Sequence, residues 1–565
     1  MMGILPLIWL LGGPWRDHGA DSVAVLKAAR RAQQAFEATR RANLPELPGS
    51  ATGMCDERIG RLCYWYEGGL DTTPEEPPRI RDARVKLLAT LASAAEALPG
   101  DDWIVGQRIR YLVEHQAYDA ALHVMASCRA TLWWCEALGG LARHAAGDFA
   151  GADSTFAAAL RDMPEDERCR WTDISLLLEG ALAKRYKRLD CAGRETFAAR
   201  WWWLTRPLYS LGGNDRRTEH YARRTFARIE EDTRTTFGLY WADDLRDLVV
   251  RYGWATYWTR EPPTSDLVRS EPRISGHEPS PSFRFAPSEG AFDNPGGAQP
   301  DDWALDSRHA RDRYAPEYAR AFVPLDHQAA VFRRDDSCVV VAAYDLSHDT
   351  LFTGDSVAGA LALAADEQTV ALARDSGLID GTRALTVTAP CQPFVLSLEA
   401  LAPREHHVAR ARYGVATAAA SPARVEISDL LLFDPPDSVR DDLSAVIPRA
   451  YGTTRLATPR RLGVFWELYG ARQGSDSTSA TMALTVTREG GGGWLRRAAQ
   501  SLGLVGPHRN VRLEWQELPP PGPIAPRSLV VDLSDLAPGR YLIEVGVAPA
   551  VGDRVTARRE ITITR

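Results

Sequence analysis

The chain has 565 residues and a formal net charge of −7 at pH 7. This length exceeds what one hydrophobic core supports, so we expect about two to four domains. The composition, 45% hydrophobic and 25% charged, is ordinary for globular proteins and excludes a wholly disordered chain. The acidic balance argues against a nucleic-acid-binding protein, which needs a basic face to neutralise phosphates.

Residues 4–11 form an apolar run. A membrane-spanning helix needs about 20 apolar residues, so this run is too short to cross a bilayer. Its length suits the apolar region of a secretory signal peptide, although no Lys or Arg precedes it. A buried N-terminal helix is the alternative. We therefore expect residues 1–20 to be a signal peptide, no later transmembrane segment, and a periplasmic or secreted protein, with a cytoplasmic location as the alternative.

The eight cysteines contain no CxxC pair and no Cys/His grouping with zinc-ligand spacing. In an oxidising compartment we expect about one to three disulfides, with buried free thiols as the alternative for any one residue. Cys338 and Cys391 lie in or beside strand-like runs and are placed to pair across a sheet. Cys128 and Cys135 are expected two turns apart on one helix, too far for a disulfide.

Residues 21–190 are predicted to form helical hairpins, with helices at 21–44, 80–98 and 173–186 flanking a repetitive part. The second repeat unit resembles a tetratricopeptide repeat, because Gly140, Ala152 and Phe156 fall on that motif's spacing. Small residues at the first two positions let two helices approach, and Phe156 fills the gap towards the next hairpin. A non-repeat helical bundle is the alternative.

Residues 191–260 contain three consecutive tryptophans, at 201–203, followed by a charged helix predicted at 216–231. A short apolar run at 248–252 is predicted to be a strand. Consecutive residues on a helix cannot share one face. We therefore expect the tryptophans to serve inter-domain packing more than carbohydrate stacking.

The stretch around Trp241 is similar to the bacterial GWxTD domain, which is named for Gly-Trp-x-Thr-Asp and continues to Tyr-Gly. Residues 240–244 read Tyr-Trp-Ala-Asp-Asp, and Tyr252-Gly253 lies at the family's distance from the tryptophan. Tyr and Asp replace the motif's Gly and Thr, so the chain resembles a divergent relative. The resemblance implies an envelope or secreted protein with β-rich partner domains and no established reaction. It makes four residues candidates for a site: Trp241, Asp244, Tyr252 and Gly253.

A proline-rich linker or strap is predicted at 261–320. Beyond it the hydrophobic period changes to two, which predicts β-sandwiches at 321–457 and 458–565. The run from Asp535 to Tyr541 resembles the corner of immunoglobulin-like sandwiches, in which a tyrosine hydroxyl binds the upstream backbone. The predicted fold class is multidomain α + β, with tetratricopeptide-like helical hairpins followed by two antiparallel, immunoglobulin-like β-sandwiches.

The strongest candidates for metal or acid–base chemistry are the pairs Glu219-His220 and His277-Glu278. Neighbouring residues on a helix point about 100° apart, so one such pair chelates a metal poorly. A surface ion pair and a backbone-bound loop histidine are the simpler interpretation. We predict no cofactor and no metal.

These patterns favour a non-enzymatic, extracytoplasmic interaction or scaffold protein of the bacterial envelope. We expect its helical hairpins to bind a protein or peptide and its sandwiches to act as spacers or adhesion modules. One alternative is a metal-assisted envelope hydrolase with a site near Glu219, His220 and His277. The other is a glycan-binding module.

Overall fold

The computed structural model describes residues 18–46, 57–64, 74–261, 273–278, 281–308, 310–417, 425–438, 440–457, 461–470, 479–489, 511–518, 522–549 and 553–564. Residues 1–17, most of the predicted signal peptide, lie outside this part. The chain forms two compact units. The helical unit comprises Met1–Leu178 and Gly213–Ser280, and the β unit comprises Glu179–Gly212 and Pro281–Arg565. The predicted segment 191–260 is therefore divided between the two units.

The helices, in chain order, are α1 (His18–Asn43), α2 (Pro78–Ala97), α3 (Asp102–Glu114), α4 (Tyr118–Met125), α5 (Leu132–Ala145), α6 (Phe149–Asp162), α7 (Glu165–Trp171), α8 (Gly180–Tyr186), α9 (Cys191–Thr205), α10 (Asp215–Glu230), α11 (Asp243–Tyr252), α12 (Glu289–Asp293) and α13 (Leu443–Val446). None of these helices is long and apolar enough to cross a membrane.

The strands are β1 (Glu57–Ile59), β2 (Leu62–Tyr64), β3 (Tyr257–Glu261), β4 (Arg273–His277), β5 (Ala321–Pro324), β6 (His327–Arg334), β7 (Ser337–Tyr344), β8 (Ser356–Ala364), β9 (Val370–Leu378), β10 (Arg383–Pro390), β11 (Phe394–Ala402), β12 (His407–Val415), β13 (Glu426–Ile427), β14 (Leu431–Phe433), β15 (Arg455–Ala457), β16 (Arg461–Tyr469), β17 (Ala480–Arg488), β18 (Val511–Glu517), β19 (Ile524–Asp532), β20 (Gly539–Ala548) and β21 (Val555–Thr564).

The helical unit contains the predicted hairpins α3–α4 and α5–α6. Asp101 caps the N-terminus of α3, and Asp148 caps that of α6. Each carboxylate accepts a hydrogen bond from the backbone N–H of the residue three positions later. In the α5–α6 hairpin, Ala152 and Phe156 are buried. A Cβ added to Gly140 would lie 2.7 Å from the Phe156 ring. The absence of a side chain at Gly140 is therefore what lets these two helices pack closely.

Three local predictions in this half of the chain are wrong. Residues 248–252 are the end of α11 and not a strand, because Leu245, Val249 and Tyr252 recur at helical spacing and are buried on one face. Of the helix predicted at 173–186, only α8 is helical, since its first residue, Gly180, has a positive φ of 60°, which does not continue a helix from the preceding residues.

The third correction concerns the disulfides. Cys128 and Cys135 do form a disulfide, with Cα atoms 5.9 Å apart. They are not on one helix, because α4 ends at Met125 and α5 begins at Leu132, so Cys128 lies in the connecting turn. The predicted pairing of Cys338 with Cys391 is confirmed. No cysteine within the described residues is a free thiol.

The β unit contains two antiparallel sandwiches, which confirms the predicted fold class. The first packs the sheet β5-β12-β11-β8-β9 on the sheet β10-β7-β6. The second packs β16 and its neighbours β13, β14 and β19 on the sheet β15-β21-β20-β17-β18. Because β13, β14 and β15 pair with strands of the second sandwich, that sandwich begins well before residue 458, where we expected it to start.

The structure tests two sequence predictions within the β unit, the tyrosine corner at Tyr541 and the role of the three consecutive tryptophans. The Tyr541 hydroxyl donates to the Ala537 carbonyl oxygen at 2.7 Å, as expected of a tyrosine corner. Trp201, Trp202 and Trp203 are all at most 6% exposed within α9. They therefore offer no open aromatic face for stacking a sugar.

A buried ionic group anchors the segment after α9 to the first sandwich. The Glu399 carboxylate accepts the Tyr209 N–H at 2.8 Å, while Arg410 and Arg412 donate to the Pro207 carbonyl oxygen at 2.7 and 3.0 Å. These charged side chains are almost fully buried. Their hydrogen bonds to backbone compensate the cost of removing them from water.

Candidate functional site

Glu219 lies on the buried face of α10. Its carboxylate is 2.6 Å from His144 Nε2 and accepts a hydrogen bond from Arg223. Arg223 in turn donates to the carbonyl oxygen of Arg251 at 2.7 Å. Burial opposes ionisation, but Arg223 and His144 outweigh it and hold the pKa of Glu219 well below its ordinary value. Glu219 therefore fixes an arginine against the C-terminal carbonyls of α11.

His220 is fully buried next to Glu219 in sequence. Its Nε2 lies 3.2 Å from the carbonyl oxygen of Trp171. Burial, together with Arg224 and Arg216, holds the pKa of His220 well below its ordinary value, so the ring is neutral at pH 7. This is a packed histidine that contacts backbone.

The residues proposed for a metal-assisted hydrolase do not come together. Within the described residues, no three His, Cys, Asp or Glu side chains are arranged to hold a metal ion. Glu219 and His220 contact the groups given above, while His277 lies on β4 with its Nε2 2.6 Å from Thr259 Oγ1. The shared site near Glu219, His220 and His277 is therefore not formed.

Asp244 and Trp241 have structural contacts. Asp244, in the first turn of α11, accepts two hydrogen bonds of 2.7 Å from the Arg61 guanidinium and one of 3.0 Å from its backbone N–H. The hydrogen bonds from Arg61 lower the pKa of Asp244 to about 2. Trp241 packs on the small apolar cluster that contains Phe226 and Val249. Asp244 thus holds the β1–β2 hairpin on α11.

The last residues of α11 hold the other end of the same hairpin. Arg251 forms hydrogen bonds and an ion pair with both carboxylate oxygens of Glu57, at 2.7 Å each. The Tyr252 hydroxyl also donates to Glu57. The rings of Tyr64 and Tyr252 stack with centroids 3.9 Å apart.

Four of the eight candidates, Tyr252, Gly253, His277 and Glu278, line one pocket of the helical unit. We call it the aromatic pocket. It encloses about 50 Å³, and a neighbouring cavity of about 340 Å³ shares Glu114, Ala255 and Trp258 with it. Its aromatic and acidic lining, besides His277, consists of Tyr64, Phe226, Phe237, Tyr252, Trp254, Trp258, Glu114, Glu230 and Glu278.

The aromatic rings of the pocket are fixed in pairs. Phe226 stacks on Trp254 with centroids 5.2 Å apart, and Phe237 meets Trp258 edge to face at 4.8 Å. Ring pairs of this geometry hold one another in place. The pocket wall is therefore preorganised, which lowers the entropic cost of binding a ligand.

A buried ionic network lies behind the two carboxylates Glu114 and Glu230. Arg110 contacts Glu114 Oε1 and Glu230 Oε1, both at 2.8 Å. Arg40 contacts Glu114 Oε2 at 2.7 Å, and Glu37 accepts the Tyr111 hydroxyl at 2.7 Å. All of these groups are 8% exposed or less in the side chain. The network joins α1, α3 and the end of α10.

The network holds three carboxylates, Glu37, Glu114 and Glu230, against two guanidinium groups. Burial would raise the pKa of Glu114, but Arg40 and Arg110 outweigh it and hold this pKa at about 2. Burial raises the pKa of Glu230 to about 7; Glu114 and Glu37 act in the same direction, against Arg110. Of these carboxylates, Glu230, which lines the aromatic pocket, is therefore harder to ionise than Glu114.

The sequence did not identify Glu114 or Glu230 as functional. Their signal is weak. Glu37 and Arg40 are three residues apart, and Arg110 and Glu114 four apart, on helix faces that also carry buried apolar residues. On an exposed helix such pairs are ordinary surface ion pairs. Only the packing of α1, α3 and α10 makes them a network.

No family model matches the chain, and no curated protein matches it. Among solved structures, it is similar to the FN1–FN3 domains of chicken CNTN1, with 10% identity and a TM-score of 0.14, over 45% of this chain and 70% of that one. It is also similar to a structure on neurohormone perception by the receptor tyrosine kinase Torso, with 8% identity and a TM-score of 0.12, over 43% and 73% of the chains. At these TM-scores neither likeness bears on function.

Proposed function

We propose that this chain is a non-enzymatic interaction or scaffold protein of the bacterial cell envelope, and that it binds a protein partner at the aromatic pocket. The observation that carries the proposal is the lining of that pocket. A concave site with rigid tyrosine and tryptophan rings around a few charged groups is typical of a binding site for another molecule. The rest of a bound segment has room in the adjoining cavity of about 340 Å³.

The β unit supports the scaffold part of the proposal. Its two sandwiches share an apolar cluster that includes Phe332 and Phe433, and Arg334 contacts both oxygens of Glu467 at 2.7 and 2.8 Å. Sandwiches joined in this way make a stiff spacer. We propose that they act as spacers or adhesion modules.

The proposed location is the periplasm or the exterior. The disulfides Cys128–Cys135 and Cys338–Cys391 support it, because disulfides persist in oxidising compartments and are rare in the cytosol. We also propose that the chain is a divergent relative of GWxTD-domain proteins with a tetratricopeptide-like region. In support, Tyr252 and Gly253 of the GWxTD-like stretch line the aromatic pocket.

Site-specific photocrosslinking in cells tests the proposed function. A para-azido-phenylalanine in place of Phe237 adds only three atoms to the ring and places the photoreactive probe in the pocket wall. We expect a discrete protein adduct, recovered from the envelope fraction after irradiation. The matched control carries the probe at Leu378, which is 67% exposed on β9 of the β unit. No adduct at Phe237, or the same adduct from both positions, would contradict binding at the pocket.

A further inference from the structure

The aromatic pocket presents carboxylates to its ligand. Glu114, Glu230 and Glu278 line it, whereas Arg110 does not and is paired with the first two. Arg40, which also pairs with Glu114, lines only the adjoining cavity, as Arg81 and Arg84 do. Arg84, which faces Glu114 from α2, is itself paired with Glu76. A group inside the pocket therefore meets carboxylates and aromatic rings, and the guanidinium groups lie outside its lining.

The buried network next to the pocket also lacks one positive charge. Three carboxylates face two guanidinium groups, and a buried carboxylate without a counter-charge is costly to ionise. A cation in the pocket would supply the third positive charge close to Glu230. The same cation would lie against aromatic faces, which attract cations through their negative π surfaces.

We propose that the aromatic pocket binds the ammonium group of a lysine side chain presented by a partner polypeptide. This rests on the proposed function, because it names the group that the partner inserts. A compact ammonium fits a cavity of about 50 Å³. A guanidinium is larger and planar and prefers two-point contact with a carboxylate, and here Glu114 already gives both oxygens to arginines. The backbone that carries the lysine lies in the adjoining cavity.

Binding of small lysine derivatives to the full chain tests the proposal directly. The probe is Nα-acetyl-lysine methylamide, and its matched neutral analogue is Nα-acetyl-norleucine methylamide, which has the same length without the charge. We expect the lysine compound to bind at least about tenfold more tightly, measured by ligand-observed NMR. Equal binding of the two compounds would show an apolar pocket and overturn the proposal. Tighter binding of the arginine analogue would also overturn it.

Two pocket variants and one control identify the charge responsible. Glu230→Gln keeps the side-chain shape, and it leaves the network with equal numbers of carboxylates and guanidinium groups. We expect it to weaken lysine binding about tenfold and to leave norleucine binding unchanged. Glu231→Gln, next in the chain but exposed and outside the pocket, is expected to change neither. Glu278→Gln, on the pocket lining and partly exposed, gives an independent test if Glu230→Gln does not fold. An unchanged lysine preference in both pocket variants contradicts the proposal.

The pH dependence of binding gives a further readout. Since the pKa of Glu230 is about 7, a bound cation lowers it and binding releases a proton. We expect lysine binding to strengthen as pH rises through about 7, and the Glu230→Gln variant to lose most of this dependence. Besides Arg110, Glu114, Glu37 and Arg40, the groups facing Glu230 include His277 and Glu278 across the pocket. A His277→Gln variant is expected to keep the pH dependence; if it loses it, the histidine and not Glu230 is responsible.

The outcomes separate this inference from the proposed function. A protein adduct at position 237 that excess lysine compound does not reduce would refute the ammonium site and leave the partner-binding function standing. Lysine selectivity without any adduct would support the ammonium site while contradicting a protein partner. Both proposals are supported when the lysine compound, and not the norleucine compound, suppresses the adduct.

Discussion

Gly140 lies on α5 where the Phe156 ring of α6 packs on its backbone. An added Cβ would be 2.7 Å from three atoms of that ring, closer than carbon atoms approach without displacement. Phe156 is 1% exposed, so the ring has no free space to enter. The requirement for glycine here is set by a neighbouring side chain and not by backbone conformation.

We predict that Gly140→Ala destabilises the helical unit. Overpacking a core costs about 1–3 kcal/mol, and alanine recovers only about 1 kcal/mol through helix propensity. The expected net loss is up to about 2 kcal/mol, measured from urea unfolding followed by far-UV circular dichroism. A second change, Phe156→Leu, is expected to restore part of the loss in the double variant, because it removes the ring that collides with the new methyl group.

Gly139 provides the matched control on the same helix. A Cβ there would lie 3.5 Å from Thr155 Cγ2, an ordinary van der Waals contact. Gly139→Ala is therefore expected to be neutral or to stabilise by up to about 1 kcal/mol. If both alanine variants unfold at the same urea concentration, close packing at Gly140 is not the determining factor.

Tyr541 illustrates a residue whose role was read correctly from the sequence. Its hydroxyl donates to Ala537 O at 2.7 Å, and the side chain is 3% exposed. We predict that Tyr541→Phe lowers the free energy of unfolding of the second sandwich by about 1 kcal/mol, since the carbonyl loses its donor. Tyr240→Phe, at a residue that is 79% exposed, serves as the control. Losses of equal size in the two variants would show that the corner hydrogen bond contributes nothing measurable.

At the scale of elements, polar contacts at both ends of the β1–β2 hairpin hold it on α11, in addition to the stacked rings of Tyr64 and Tyr252. Asp244 binds Arg61 in the turn, and Arg251 binds Glu57 at the start of β1. A Cβ added to Gly60, whose φ is 52°, would be 2.6 Å from Asp244 Cβ. The turn therefore needs glycine both for its conformation and for its closeness to the helix.

We predict that Asp244→Asn loosens this hairpin. The charge-assisted contacts with Arg61 are stronger than neutral hydrogen bonds, so their loss is expected to speed amide exchange in residues 57–64 about tenfold, which equals about 1.4 kcal/mol. Asp243→Asn, whose side chain is 94% exposed, is the neighbouring control and is expected to leave exchange unchanged. In the wild-type chain, the lowered pKa of Asp244 means that the contact is fully present above about pH 4. It is lost as pH falls through about 2. Unchanged hairpin exchange in Asp244→Asn would exclude this anchoring role.

Element types could be predicted where one periodicity dominates. Alternating burial runs through β17, in which the even-numbered residues enter the core and the odd-numbered residues are partly or fully exposed; a hydrophobic period of two therefore predicts a strand here. β8 lacks this alternation, because its sequence, SVAGALALA, is rich in alanine and leucine and is buried on both faces over its second half. The run at 248–252 was too short to distinguish helix from strand.

The aromatic pocket could not be predicted as a unit, since no local motif encodes it. Tyr64, Glu114, Glu230 and His277 come from four distant parts of the sequence and meet only through the packing of α3, α10, β2 and β4. The GWxTD-like stretch contains Tyr252 and Gly253, two residues of the pocket lining. The acidic residues Glu114 and Glu230 lie near them in the fold but far from them in the sequence, so the spacing of residues along the chain does not predict their proximity.

At the scale of the whole molecule, the two sandwiches of the β unit are joined by side chains that alternate along β16. Val464, Trp466 and Leu468 enter the core of the second sandwich. Phe465 points the other way, into the apolar cluster shared with the first sandwich, with its ring 5.7 Å from that of Phe332. Glu467 on this same face binds Arg334 of the first sandwich. One strand thus contributes to the core of the second sandwich and to the cluster shared with the first.

We predict that the two sandwiches open together in the wild-type chain and separately in Phe465→Ala. Removing a buried phenylalanine costs about 3–5 kcal/mol, and here the loss falls on the contact between the sandwiches. Native-state hydrogen exchange at increasing urea measures this. In the wild type, amides of β11 and β20 are expected to converge on one opening free energy. In the variant, β20 is expected to open at lower urea than β11.

Leu468→Ala distinguishes coupling from general weakening. Leu468 is 1% exposed on the same strand, but its side chain belongs to the core of the second sandwich alone. Its truncation, which costs about 2–5 kcal/mol, is expected to lower the opening free energy of β11 and β20 by similar amounts, because the intact interface still couples them. Separate opening in Leu468→Ala as well, or common opening in Phe465→Ala, would show that the shared cluster does not make the two sandwiches one cooperative unit.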